Sequence, residues 1–383
     1  MAGLRRFGLV LVGLALALLA GEGLFRLAAR WKPSLQSFNP PVLVEDPVTE
    51  HALIPSVTTR YLSPEGEFDN VVRTNAWGFH DIERARAKPA GTFRVAVVGD
   101  SLVEGLHVPA TGTLTQLAEQ RLNGEGRRTR VEVLNAGLSG TSPLLDYLAI
   151  RERILRFAPD VVVLCVFMND PSEDQAFRPL VAFDAAGRPT RLVATTSRTA
   201  FVPLPLKVFV KRHSRLAVFL MNLYSFRGLA PRRVFSEGTP GWTPGEPPGD
   251  IFAVLREPPT PAADRAWTFT TSLLGHIGSL LKDHETRFVV AILPAPSQVN
   301  DREWARGRAA WKLDGAPSFR PQRVLAEWGR QHDVPVLDFL PGLRAWPESP
   351  LYFPYDGHFT AVGHRAAAAV LADFLAREPW FPH

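Results

Sequence analysis

Phe93-Arg94-Val95-Ala96-Val97-Val98-Gly99-Asp100-Ser101-Leu102 decides how the rest of the chain is read. A short β-branched run ends on a glycine, a serine stands just after the turn, and Gly105 comes soon after. A helical pattern then occupies about 112–122. The same order recurs down the chain. Val131-Glu132-Val133-Leu134 ends at Asn135-Ala136-Gly137 and leads into a helix at about 144–157. Val161-Val162-Val163-Leu164-Cys165-Val166 ends at Asn169-Asp170, and Phe288-Val289-Val290-Ala291-Ile292-Leu293 stops at Pro294. Pro335-Val336-Leu337 reads as a last short strand and 361–376 as a closing helix. Continuous apolar strands separated by helices predict an α/β fold with a parallel sheet covered on both faces. Ligands of such sheets sit outside the carboxyl ends of the strands. Residues 171–262 interrupt the alternation and read as a large insertion, with a Pro/Gly-rich stretch at 239–261.

The polar residues gather at those carboxyl ends. Gly99-Asp100-Ser101, Asn135-Ala136-Gly137 and Asn169-Asp170 come at the ends of three strands, and the last strand-to-helix connection carries Asp356-Gly357-His358. A hydroxyl, a flexible backbone N–H, a side-chain amide and a carboxylate–imidazole pair thus come to one rim. Serine chemistry needs these parts. A hydroxyl is a poor nucleophile until an imidazole takes its proton, and the imidazole needs an acid to fix its tautomer. The tetrahedral oxyanion needs fixed donors, and the start of a helix adds partial positive charge beside Ser101.

These residues, in this order, resemble the SGNH (GDSL-type) hydrolase superfamily in its membrane-anchored bacterial form. Gly99-Asp100-Ser101-Leu102 matches the first block, Gly137 the second, Asn169-Asp170 the third, and Asp356 with His358 the last. The stretch Arg73-Thr74-Asn75-Ala76-Trp77-Gly78-Phe79 is similar to a lead-in of anchored members. The resemblance covers about 70–170 and 285–375 and leaves the insertion uncovered. It implies a three-layer sandwich with a mostly parallel, five-stranded, flavodoxin-like sheet. It also implies Ser101 as nucleophile, His358 as base, Asp356 as orienting acid, and an oxyanion hole of the Ser101 N–H, the Gly137 N–H and the Asn169 side chain. Two departures stand out. Only Gly357 separates Asp356 from His358 where two residues are usual, and Phe167 occupies a usual glycine position, which implies a narrower acyl pocket.

Each motif alone is an ordinary turn; four in order, each at a strand end, make the functional reading. Asp100 reads as a brace for the turn, His107 as a surface or rim residue, and His364 as structural. No metal-ligand spacing, phosphate loop, Gly-x-Gly-x-x-Gly or Gly-x-Ser-x-Gly elbow is present, so neither cofactor nor metal is expected.

The amino terminus adds a location. Arg5 and Arg6 precede an apolar run at 7–20, and the run continues to Leu24 and Phe25 past Glu22. An uncleaved anchor over 1–30 is favoured over a cleaved signal, and either exports the remainder of the chain. Residues 31–70 read as linker and lead-in, and 71–383 as the catalytic domain. The expected place is the cytoplasmic membrane, single-pass, with the domain on the periplasmic side, or secretion if the segment is cleaved. The single cysteine excludes a disulfide framework. The net charge of +5 divides unevenly: 1–30 carry +3 and 201–240 carry +6, leaving −4 elsewhere. Nucleic acid is therefore not an expected partner; a membrane is. In 201–235, apolar residues mix with Lys207, Lys211, Arg212, Arg215, Arg227, Arg232 and Arg233. They read either as a helical subdomain with solvated arginines or as a surface lying on anionic head groups. The function expected is an acyl-ester hydrolase or O-acyltransferase acting on an acylated small molecule or glycan, with a non-catalytic glycan-binding or scaffold protein as the alternative.

Overall fold

The computed structural model describes residues 2–32, 42–63, 65–124, 129–194, 203–226, 258–310 and 317–382. A long helix, α1 (Ala2–Trp31), is succeeded by two antiparallel hairpins, β1 (Leu43–Asp46) with β2 (Glu50–Leu53) and β3 (Thr58–Leu62) with β4 (Asp69–Arg73). The α/β alternation then begins with β5 (Thr92–Gly99), the single turn α2 (Ser101–Glu104), α3 (Leu114–Leu122), β6 (Arg130–Gly137), α4 (Pro143–Glu152), β7 (Val161–Val166) and α5 (Asp170–Phe177). A third hairpin, β8 (Val181–Phe183) with β9 (Pro189–Leu192), and the helices α6 (Leu204–His213) and α7 (Arg215–Phe226) interrupt it. It resumes with α8 (Pro261–Asp283), β10 (Arg287–Ile292), α9 (Pro296–Asn300), α10 (Ala305–Ala310), α11 (Arg320–His332), β11 (Val336–Asp338), α12 (Leu340–Arg344) and α13 (Ala361–Arg377).

The five strands of the main sheet run in the order β11-β10-β7-β5-β6, and every pairing is parallel. Successive side chains alternate between faces. Ala96, Val98, Val162 and Leu164 join the core under α4, α8 and α11, while Val95, Val97, Val161 and Val163 join the core under α3 and α13. Both faces are covered, so β7 is buried at all six positions and can be apolar throughout. This is the three-layer α/β sandwich expected from the strand pattern. The hairpins at 43–73 add a small core of Val42, Leu53 and Val72 against Leu106, just beyond α2.

Arg94 is the exception in β5, and it is fully buried. Its guanidinium reaches Glu132 Oε2 at 2.9 and 2.7 Å, the Phe157 carbonyl at 2.6 Å, and the Arg86 and Ala85 carbonyls at 3.0 Å. A buried cation is tolerated here because the carboxylate and three carbonyls replace the water it lost.

The segment Arg5–Trp31 contains an 18-residue window of mean hydropathy 2.1 with no buried residue, and is long and apolar enough to cross a membrane. Glu22, the acid within it, accepts the Arg215 N–H at 2.9 Å, the Leu216 N–H at 3.0 Å and the Ser214 hydroxyl at 2.9 Å. A carboxylate thus caps the start of α7, and the Phe25 and Phe219 rings meet at 5.1 Å. Of the basic stretch 201–235, Phe201, Arg227, Arg232 and Arg233 lie outside the described residues, as does most of the Pro/Gly stretch. The structure changes the reading of three of the others. Lys207 pairs with Glu45, Lys211 donates to the Leu43 carbonyl and Arg212 to the Pro55 carbonyl, so they turn toward the hairpin rather than outward. Leu206, Phe209 and Leu220 are each more than half exposed, beside the exposed Arg212, His213 and Arg215.

Arg94→Ala strands Glu132 in the core, and denaturant unfolding is expected to show a loss of about 3–5 kcal/mol.

Candidate active site

The carboxyl edge of the sheet is shaped by two close approaches. A Cβ on Gly99 would lie 2.9 Å from the Cys165 carbonyl oxygen, and one on Gly137 would lie 2.3 Å from the backbone nitrogen of Glu104. Only glycine lets α2 sit this tightly on β6. Asp100 Oδ1 then accepts the Leu102 N–H at 3.0 Å, bracing the turn that presents Ser101. Because α2 is one turn of four residues, the dipole expected to assist Ser101 is short.

The loop before α13 supplies the partners. A bridge between Tyr352 and Phe359 closes it, and Gly357 reverses the chain at φ +85. That left-handed turn lets Asp356 and His358 face each other across a single residue. Asp356 Oδ1 lies 2.6 Å from His358 Nδ1, and His358 Nε2 lies 2.8 Å from Ser101 Oγ. The short Asp–His spacing is therefore compatible with a complete hydrogen-bonded relay. Glu67, between β3 and β4, accepts the backbone N–H groups of Tyr355 at 2.7 Å and Asp356 at 2.9 Å, fixing the loop from outside. Burial opposes a charge on His358, but Asp356 outweighs it and holds the imidazole above its usual 6.5. Burial would raise Asp356; the charge and hydrogen bond of His358, with His107 beside them, bring it down to about 2.

His107 is not the surface or rim residue expected. It is buried, stacks on His358 at 4.2 Å between ring centroids, and packs against Tyr61, Phe68 and Phe353. Burial keeps it neutral, with a pKa well below its usual 6.5. With Asp356 and His358 it forms the one three-ligand cluster among the described residues whose atoms lie within 4.8 Å of one another. A metal there would take the nitrogen that His358 gives to Asp356. His364, read as structural, accepts the Leu114 N–H at 3.2 Å and ties α13 to α3.

The three proposed oxyanion donors separate. Ser101 and Asn169 line a cavity of about 310 Å³ together with Asp356 and His358, walled by Phe167, Met168, Trp304 and Tyr61. Gly137 does not line it. Its N–H already donates to Asn135 Oδ1 at 3.1 Å, and its Cα is pressed against α2, so it serves packing. The glycines that line the cavity are Gly357, in the Asp356–His358 turn, and Gly140, three residues on from Gly137, at φ +75. A depression of about 720 Å³ borders the residues preceding β10 and β11, and one of about 680 Å³ runs along β11 between Asp333 and Asp338; neither is lined by Ser101 or His358.

Below Ser101 lies a set of buried acids. Burial pushes Asp100 to about 6, Glu104 to about 7, Asp174 to about 6 and Glu173 to about 8, and Asp146 and Asp170 well above the usual carboxylate range. The Asn169 side chain lies beside Asp100 and Glu173 and favours their charged forms against the larger effect of burial.

Residues 255–383, a third of the chain with Asp356 and His358 inside it, match the family described as ALGX, an SGNH hydrolase-like domain of acetyltransferase AlgX. The carboxyl-terminal third is thus similar to an SGNH hydrolase-like domain. No curated protein matches in sequence. Among solved structures, an acetyl xylan esterase, AlAXEase, is 13% identical with a TM-score of 0.39, covering 74% of this chain and 99% of its own. A lipase/acylhydrolase from Enterococcus faecalis is 15% identical with a TM-score of 0.38, covering 74% and 95%. A variant of an acetyl-xylooligosaccharide esterase from Geobacillus is 11% identical with a TM-score of 0.40, covering 76% and 97%.

From about pH 6.5 to 8 the folded protein still holds protons on Glu104 and Glu173 that the unfolded chain has lost, so stability falls as pH rises. His358, raised above 6.5, adds to the fall over the same window. Thermal melts are expected to show a lower midpoint at the alkaline end, and Glu173→Gln a shallower slope.

Proposed function

We propose that this SGNH hydrolase-like chain is a serine-dependent acyl-ester hydrolase or O-acyltransferase of the cell envelope, working through an acyl-enzyme on Ser101. The observation that carries the reading is the relay Asp356–His358–Ser101, at 2.6 and 2.8 Å, opening into a cavity beside Asn169. Ser101 Oγ attacks the acyl carbonyl while His358 Nε2 takes its proton, and Asp356 steadies the imidazolium. The oxyanion is held by the Ser101 N–H and the Gly140 N–H, with the Asn169 amide in the same wall. Gly140 replaces Gly137 in this role because the Gly137 N–H is already bonded. His358 then gives its proton to the departing alcohol. Water, or a sugar hydroxyl, attacks the ester carbonyl of the acyl-enzyme, loses its proton to His358, and frees Ser101.

The small cavity and the Phe167 side chain in its wall support a short acyl group. The acetyltransferase description of the matched family supports transfer to a glycan hydroxyl as one fate of the acyl-enzyme. Asp356 is the acid in this reading, since its carboxylate stays charged while the acids below Ser101 favour protons. The apolar α1, with Arg5 and Arg6 ahead of it, supports an uncleaved anchor in the cytoplasmic membrane with the domain outside. Leu206, Phe209 and Leu220 support a further contact with the lipid surface through apolar side chains.

With 4-nitrophenyl acetate and the full chain in detergent, Ser101→Ala is expected to lower kcat by at least about a thousandfold; wild-type turnover would overturn the reading. Acetyl recovered on an added glycan selects transfer, and acetate alone selects hydrolysis. Because only neutral His358 accepts a proton, kcat/KM should fall as pH drops below its raised pKa. Asp356→Asn should move that limb to lower pH and reduce the plateau. In cells, the full chain should resist alkaline carbonate extraction; a soluble chain beginning beyond the apolar run would select the cleaved signal.

A further inference from the structure

The turn after β6 concentrates its hydrogen bonds on one peptide group. Ser139 is held at its hydroxyl by the Glu104 carboxyl, and its carbonyl oxygen lies 2.7 Å from His51 Nε2. The other ring nitrogen of His51, Nδ1, lies 2.8 Å from Glu50 Oε2. Both nitrogens face acceptors, a carbonyl and a carboxylate, so both bonds form when the ring carries two protons. Burial opposes that charge, but the bond and charge of Glu50 outweigh it, with Glu104 adding to the same side, and His51 stays above its usual 6.5. Glu50 itself sits at φ +69, a conformation uncommon for a residue with a side chain.

The direction of this clamp matters because a trans peptide points its C=O and its N–H in opposite directions within one plane. The Ser139 carbonyl and the Gly140 N–H belong to the same peptide. With the carbonyl turned to His51, the N–H is aimed the other way, and Gly140 lines the cavity with Ser101 and Asn169. No hydrogen bond from the Gly140 N–H is found among the described residues. The left-handed φ of +75 that this orientation needs is open to glycine.

The geometry points to His51 as a positioning residue that sets the oxyanion donor: a second Glu–His pair, Glu50–His51, which holds the Ser139–Gly140 peptide while Asp356–His358 moves the proton. This rests on the serine-esterase reading above. A donor on the carbonyl oxygen draws electron density from the peptide nitrogen and strengthens its N–H as a donor. A donor already in place costs no reorganisation when the oxyanion forms. The pair comes from β2, far from the strand ends in sequence and outside the residues that match the family model.

Two variants of the full chain, assayed in detergent on 4-nitrophenyl acetate, separate this role from packing. His51→Gln keeps an N–H that can reach the Ser139 carbonyl, whereas His51→Met has similar bulk and no donor. The Met variant should lose about 100-fold in kcat, the effect of one oxyanion donor, with KM within about twofold. The Gln variant should stay within about fivefold of wild type on the same scale. Should the Met variant fail to fold, His51→Asn, whose amide is too short to reach, takes its place. Equal kcat in donor and non-donor variants overturns the assignment. Ser101→Ala assayed alongside separates the failures. If Ser101→Ala is inactive while both His51 variants keep wild-type kcat, only the role of His51 falls. If Ser101→Ala keeps activity, the serine mechanism itself falls.

Discussion

The contact on which the site depends is the approach of the α2 backbone to the end of β6, where Gly137 leaves no room for a methyl group. Once α2 lies there, Ser101 at its first position and Glu104 at its last are fixed relative to the sheet. Glu104 holds Ser139, and Ser139 carries the peptide that presents Gly140. A packing constraint between two backbones thus sets the spacing between the Ser101 hydroxyl and a neighbouring N–H. Glycine at 137 matters for what it lacks, and glycine at 140 for the φ it can adopt.

Electrostatically, the neighbourhood of Ser101 is crowded with ionisable groups yet lightly charged. His80, His107 and His364 are kept neutral by burial, His80 near 4 and His364 near 3. The acids below Ser101 are pushed up by the same burial. Asp356 is the exception, because the imidazole bonded to it rewards its charge. The His358 imidazole therefore faces Asp356 at its Nδ1, and Asp100 and Glu104 favour its charged form more weakly.

The sheet is legible in the sequence because its strands are apolar on both faces, a pattern that survives without neighbours: the run at 161–166 coincides with β7. Ser101, Asn169, Asp356 and His358 are legible because each stands just past a strand or before a closing helix. The second glycine misleads for a physical reason. Asn135-Ala136-Gly137 looks like a turn, but the strand runs through Gly137, and the bend comes at Ser139-Gly140. His107 gives no sign of burial, since a lone histidine takes its environment from residues distant in sequence. Glu67 and His51 are invisible for the same reason: each acts on a loop 88 or more residues away. The long amphipathic helix α8 is hidden because it begins at the edge of the Pro/Gly-rich stretch.

The bond between Glu22 and the start of α7 bears on how the enzyme would sit at a bilayer. A helix joined to a domain by a slack connection works as a leash, and the active-site mouth can then sweep any direction within reach. Here α1 grips α7, α6 continues from it, and α6 is fastened to the hairpin at 43–53 by Lys207 and Lys211. That hairpin places Leu43 in the cavity wall. The apolar helix and the cavity wall are thus joined through a series of contacts rather than a slack connection alone.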